Sequence, residues 1–373
     1  EVERRGTRPP PAPMAQIAVA EGPPAFRIPR AESSSHASVW HHRYAGMPGY
    51  DIRVFEKTAP EDVVGSGFLL DVETGETSLR LQTGSWFLSV AWQDDGQRFA
   101  LGDVDGCVVI MNPATGAEER RIPHHRRISS LAWRPGGSLL ATGCGDKSVH
   151  VFNADTGTEE AVLRHSDAVR SVAWHPNGHM VATGSNDRTV RIFDIATGRK
   201  DATLVHPDCV WSVAWSPDGS KLATGCADRS ARLWDPASGK NVLQLRHSDA
   251  VRSVAWRPDG GKLATASNDG MARVFDVGSG NADVGLKHGD HVTCVAWHPV
   301  NWSLATGSLD RCVRVFDGTN GAELHRSRHT SHISCVAWRP QVDEKLRQAK
   351  QTATSTVAST STARAEPSYA STR

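Results

Sequence analysis

Seven tryptophans, Trp92, Trp133, Trp174, Trp215, Trp256, Trp297 and Trp338, follow one another at a constant interval of 41 residues. A fixed period of this length constrains a chain more than any local propensity. Each copy must build the same small unit and bury it against its neighbours. Every Trp ends a cassette. The run His165-Ser166-Asp167-Ala168-Val169-Arg170-Ser171-Val172-Ala173-Trp174 recurs unchanged from His247 to Trp256. Weaker copies run from His124 to Trp133, His206 to Trp215, His288 to Trp297 and His329 to Trp338, and the copy ending at Trp92 has Thr83 in the His position.

The segment after each Trp repeats too. In the third copy, Pro176-Asn177-Gly178 is a turn signal, Met180 to Ser185 is an apolar run, and Asn186-Asp187-Arg188 is a second tight turn. Thr189 to Asp194 is β-branched and aromatic, Thr197-Gly198 turns again, and Ala202 to Val205 is a last short strand. Turn residues interrupt each run before three helical turns could form, so the unit reads as a four-stranded antiparallel meander. Such a sheet, apolar on both faces, is not stable alone. Stacked radially, the sheets cover one another, which is an all-β propeller.

At these residues the chain resembles the WD-repeat (WD40) β-propeller family. The resemblance rests on the His opening each copy, the Gly-Ser-x-Asp-like turn, and the aromatic-Asp pair ending the third strand. That pair is Trp234-Asp235 once, Phe193-Asp194, Phe275-Asp276 and Phe316-Asp317 elsewhere, and Phe152-Asn153 in a weaker copy. It spans about residues 65–340 and implies seven blades. The last copy stops after Trp338-Arg339-Pro340 with only an inner strand. Phe68 to Gly75 matches a third strand plus turn, Ser78 to Leu81 an outer strand, and Tyr50 to Phe55 is the candidate second strand. The expectation is a ring closed by pairing the N- and C-terminal strands, which removes an exposed sheet edge. In the alternative, Ser38-Val39-Trp40 supplies an inner strand of its own. The expected layout is a Pro-rich unstructured segment over 1–35, the propeller over 36–342, and an unstructured Ser/Thr/Ala-rich tail over 343–373.

The resemblance also implies a buried hydrogen-bond chain in each blade. Its members are His124, Thr142 and Asp146; His165, Thr183 and Asp187; His206, Thr224, Asp228 and Trp234; His247, Thr265 and Asp269; and His288, Thr306 and Asp310. Only the copy with Trp234 has a Trp to complete it. These sets look like catalytic triads in isolation, but a nucleophilic site has no reason to recur in every blade, so they read as structural. No paired carboxylates, Gly-x-Ser-x-Gly motif or cofactor signature occurs, and the chain is expected to be no enzyme, with no cofactor. His288-x-x-His291 and His329-x-x-His332 lack completing ligands, so no metal is expected. Seven cysteines without a Cys-x-x-Cys pair point to an intracellular, cytoplasmic or nuclear, protein with Cys as small packing residues.

Framework positions must agree from copy to copy, whereas loop positions are free to encode binding. In the family, partners dock on the face carrying the loop before the inner strand. The contacting positions lie three and five residues after the repeat His and one before the turn Asp. Carried over, they give Trp86, Leu88, Arg127, Arg170, Trp211, Arg252, His291, His332, Asn186 and Asn268 as the candidate partner-binding face. Arg and Trp are enriched at binding hot spots. The face would therefore suit an acidic or phosphorylated peptide. The chain carries 42 Lys plus Arg against 41 Asp plus Glu, a net charge of +1. That balance disfavours a dedicated nucleic-acid binder or a polybasic membrane-surface protein. No apolar run reaches the roughly 18–20 residues of a membrane-spanning helix. The reading is a non-catalytic scaffold binding protein or peptide partners in a multi-protein complex, with a nucleic-acid-associated propeller subunit of a ribonucleoprotein or chromatin complex as the alternative.

Overall fold

The 41-residue unit folds as its pattern dictates. In the computed structural model, which describes Gln16–Glu21, Gly65–Asp71, Thr77–Thr83 and residues 85–340, seven four-stranded antiparallel sheets form seven blades. The third blade is typical, with inner strand Val169–Trp174, then Met180–Ser185, Thr189–Asp194 and outer strand Lys200–Val205. Its second strand is buried along five of its six residues, whereas the outer strand is mostly exposed. Each inner strand contacts the inner strands of both neighbouring blades, including that of the closing blade against that of the first. The seven therefore ring a central channel. No helix among the described residues is long and apolar enough to cross a membrane.

Small residues set the distance between blades. An added Cβ on Gly307 would sit 2.5 Å from Ile333 Cγ2 and 2.6 Å from Cys294 Sγ, so only Gly lets the next inner strand approach there. Inter-blade tethers repeat with the period. The indole N–H groups of Trp133, Trp174, Trp256, Trp297 and Trp338 each donate to the Ala carbonyl of the preceding inner strand, at 3.0–3.1 Å. The hydroxyls of Ser89, Ser130, Ser171, Ser212 and Ser253 accept the amides of Leu131, Val172, Val213, Val254 and Val295 one blade on. Cys294 and Cys335 replace this serine, and there the residue just before takes over. Thr293 Oγ1 donates to Ile333 O at 2.7 Å, and Ser334 Oγ to Phe87 O at 2.7 Å.

The closing blade joins the chain ends, with strand order Ile333–Trp338, Gln16–Glu21, Gly65–Asp71 and Thr77–Thr83. The expected closure by N- and C-terminal strands is what the fold shows, but the second strand is Gln16–Glu21. It falls inside the segment expected to be unstructured. Tyr50 to Phe55 and Ser38 to Trp40 lie outside the described residues, as does the tail from 343. The physical reason is burial on both faces. Ile17 and Val19 pack with Ile333, Val336 and Val315, while Ala18 and Ala20 pack with Phe87 and Val90. In register, Ile17, Ala18 and Val19 stand where Val181, Ala182 and Thr183 stand in the third blade. Arg339 clips the seam, its Nη1 donating to Gln16 Oε1 at 2.7 Å and its Nη2 to Gly96 O of the first blade.

Candidate functional site

Every inner strand carries a β-bulge at its second residue. The register skips Leu88, Ser129, Arg170, Trp211, Arg252, Thr293 and Ser334, which puts these equivalent positions out of the ladder at the channel mouth. A bulge re-aims a side chain without costing the strand its place in the sheet. Thr293 and Ser334 spend their hydroxyls on tethers. Where Ser171, Ser212 and Ser253 already tether the blades, the bulge residues are Arg170, Trp211 and Arg252 in consecutive blades.

These three form one cluster with Arg127. The Arg252 guanidinium lies over the Trp211 ring, 4.4 Å from its centre. Cation–π contact of this kind fixes both partners. Arg170 Nε donates to Asn186 Oδ1 at 2.8 Å, and Arg252 Nε to Asn268 Oδ1 at 2.8 Å. Asn186 and Asn268 thus position the arginines. Ala227 occupies the same place beside Trp211, which has no guanidinium to hold. Among the described residues, Arg127, Arg170 and Arg252 form no ion pair, and the terminal amino groups of Arg170 and Arg252 donate to no protein group. Burial, then repulsion from Arg127, pulls the Arg170 guanidinium down to about 10. Burial lowers Arg127 and Arg252 as well. Arg170 is half-buried, and Arg127 and Arg252 are exposed, so all three are open to solvent or to a ligand.

The other predicted face residues lie around the rest of the mouth. Trp86, Leu88, His291 and His332 are half-buried on the first, sixth and closing blades. The nearest carboxylate to His291 is that of its own neighbour Asp290, at 4.0 Å. Acidic residues also belong to this face. Asp167, Asp208, Asp249 and Asp290 stand two residues after the repeat His, and each accepts the next backbone N–H at 2.6–2.7 Å. They were legible as a repeated His-x-Asp, but the family's contact positions skip them. Asp167 partly offsets Arg127 and Arg170, and Asp249 partly offsets Arg252.

Five of the repeat histidines each hydrogen-bond to a threonine. The Nε2–Oγ1 distances are 2.7–2.9 Å for His124–Thr142, His165–Thr183, His206–Thr224, His247–Thr265 and His288–Thr306. Trp234 Nε1 donates to Thr224 Oγ1 at 3.1 Å. The link to aspartate differs from expectation. Only His165 reaches its carboxylate, Asp187, at 3.0 Å. His124, His206 and His288 turn Nδ1 to the carbonyl two residues before, and His247 Nδ1 is buried without a partner. Each carboxylate also meets a group on the next strand, and Asp187 alone holds its histidine and its arginine together. Asp187, Asp228, Asp269 and Asp310 pair with Arg191, Arg232, Arg273 and Arg314 on the next strand, and Asp146 pairs with His150. Both nitrogens of His288 are engaged, which removes it from any pair with His291. A different set, Cys144, Asp146 and His150, does bring three metal-ligating atoms within 4.8 Å of one another.

A family model for the WD domain, G-beta repeat, matches residues 116–153, 157–194, 198–235 and 239–276. Each match runs from the outer strand of one blade through the third strand of the next. The model for the anaphase-promoting complex subunit 4 WD40 domain matches residues 284–341. No curated protein matches the chain in sequence. With the repeat matched from the first blade's outer strand to the seam, and seven blades in the ring, the chain belongs to the WD-repeat (WD40) β-propeller family, whose members generally serve as protein-interaction scaffolds.

Proposed function

We propose that the protein is a non-catalytic scaffold that docks an acidic or phosphorylated segment of a partner on the loop face, at Arg127, Arg170, Trp211 and Arg252. The observation that carries this reading is the fixed Arg252–Trp211 stack, 4.4 Å apart, with the Nε of Arg170 and of Arg252 held by an asparagine. Two guanidiniums anchored at Nε present their terminal amino groups as ready forks for carboxylate or phosphate. Little side-chain entropy is left to lose on binding. The similarity to a WD40 domain of an anaphase-promoting complex subunit supports membership of a multi-protein assembly. The test is affinity capture from native lysate with the wild-type chain beside an Arg170→Ala, Trp211→Ala, Arg252→Ala variant of equal melting temperature. The reading expects a defined set of proteins to vanish with the variant. Recovery of the same proteins by both baits would move the docking surface elsewhere.

A further inference from the structure

We infer that the second blade carries a binding site for one zinc-like divalent metal ion, built from Cys144, Asp146 and His150. The three side chains come from one hairpin. Cys144 ends the strand Leu139–Cys144, Asp146 lies in the tight turn, and His150 is the third residue of Ser148–Asn153. Lys147 takes a left-handed φ of 78° in that turn, which brings the strands round so that Asp146 and His150 meet. His150 Nε2 lies 3.0 Å from Asp146 Oδ2. The donor atoms Sγ, Oδ and Nε2 all fall within 4.8 Å of one another. A tetrahedral zinc ion with ordinary bond lengths sets its ligand atoms about 3.4–3.7 Å apart, so a shift of about 1 Å closes the set.

The surroundings suit a metal ligand. His150 Nδ1 lies 2.6 Å from Glu159 Oε1. A metal-bound imidazole usually gives its other N–H to a carboxylate, which fixes its tautomer and raises its basicity. His150 faces a carboxylate on each nitrogen, Asp146 on Nε2 and Glu159 on Nδ1. A metal on Nε2 would leave Nδ1–H to donate to Glu159. The ring is further held by Phe152, stacked at 6.1 Å, and by the edge of His124 at 5.2 Å. Asp146 Oδ1 already accepts the Ser148 amide at 2.9 Å, leaving Oδ2 for the ion. Cys144 now donates to Arg126 O at 3.3 Å. On binding, that thiol proton leaves to solvent and the sulfur electron pair bonds the ion. The Arg126 carbonyl is on an exposed loop, where water can replace the donor.

Comparison within the chain points the same way. The sixth blade has the same carboxylate pair, Asp310 and Glu323, about a single fixed cation, Arg314. There Ser308 takes the place of Cys144. The fourth blade has a cysteine, Cys226, but keeps Arg232. Only in the second blade do a thiol and an imidazole replace Ser and Arg together. Three protein ligands of mixed S, N and O type select zinc over magnesium or calcium.

The experiment is titration of the full-length, reduced, chelator-stripped chain with Zn²⁺ by calorimetry and with Co²⁺ by absorption. The expected result is one equivalent bound, a thiolate-to-cobalt charge-transfer band, and a higher melting temperature with Zn²⁺. Cys144→Ser and His150→Arg restore the residues used by the third blade, so both fold. Each should abolish the band and the thermal shift. Glu159→Gln should weaken binding by about 10- to 100-fold. Absence of stoichiometric binding would overturn the site, as would a band of unchanged intensity in both variants, which would assign the metal to other cysteines.

Discussion

At the level of single residues, the buried polar groups decide what each blade tolerates. Thr224 Oγ1 meets His206 Nε2 at 2.9 Å and Trp234 Nε1 at 3.1 Å. Thr224→Val strands two buried partners and should cost about 2–4 kcal/mol, on the order of 1–3 kcal/mol for each group left unmade. Trp234→Phe copies what the third, fifth and sixth blades already do with Phe193, Phe275 and Phe316. It should cost less, and chemical denaturation of the two variants gives the comparison; equal losses would deny the threonine its role. The histidines make stability depend on pH. Burial lowers His124, His206, His247 and His288 from 6.5 to about 4. Between those values the unfolded chain binds more protons than the folded one. Their contribution is complete above about pH 6.5 and is lost as pH falls toward 4, by up to about 1.4 kcal/mol per pH unit for each histidine. Melting followed from about pH 7 to about pH 4.5 should show a steady fall. A flat profile would mean that these histidines are not buried as neutral groups.

At the level of the strand and blade, close approach is the controlling quantity. Gly307→Ala drives a methyl group into Ile333 and Cys294 and should destabilise by about 1–3 kcal/mol in denaturant. In the fifth blade Ala266 fills the equivalent place, so Ala266→Gly should not gain stability by removing a clash. If Gly307→Ala melted like wild type, blade spacing would be set by something other than this contact. The blades, the inner-strand tryptophans and the His–Thr pairs were legible in the sequence because a repeated environment writes the same residue every 41 positions. Departures from the repeat were harder. Gln16–Glu21 sits among prolines and keeps only Ile-Ala-Val-Ala of the second-strand pattern, so nothing local distinguishes it from a linker. Asp228 pairs with Arg232 and not with His206, whereas Asp187 holds both His165 and Arg191, and spacing alone does not separate the two cases. Cys144, Asp146 and His150 meet only once the hairpin is paired.

At the level of the whole molecule, the ring is closed by one blade made from both ends of the chain. Removing residues 1–21 or residues 329–340 takes a strand from that blade, exposing Gly65–Asp71 or Gln16–Glu21 as an open edge. Either truncation should abolish the single cooperative melting transition seen by calorimetry. A truncated chain that melts like wild type would contradict the closure. Closure also fixes seven bulged positions around one channel mouth, where Thr293 and Ser334 tie blades together and Arg170, Trp211 and Arg252 have the proposed role of meeting a partner. The most direct test of that division is binding of the wild-type chain to an immobilised peptide library in acidic, phosphorylated and neutral versions. The Arg170→Ala, Trp211→Ala, Arg252→Ala variant is run beside it. The account predicts that acidic or phosphorylated peptides bind wild type and are lost from a variant of unchanged melting temperature. Equal binding by both proteins, or no preference for negative charge, would contradict it.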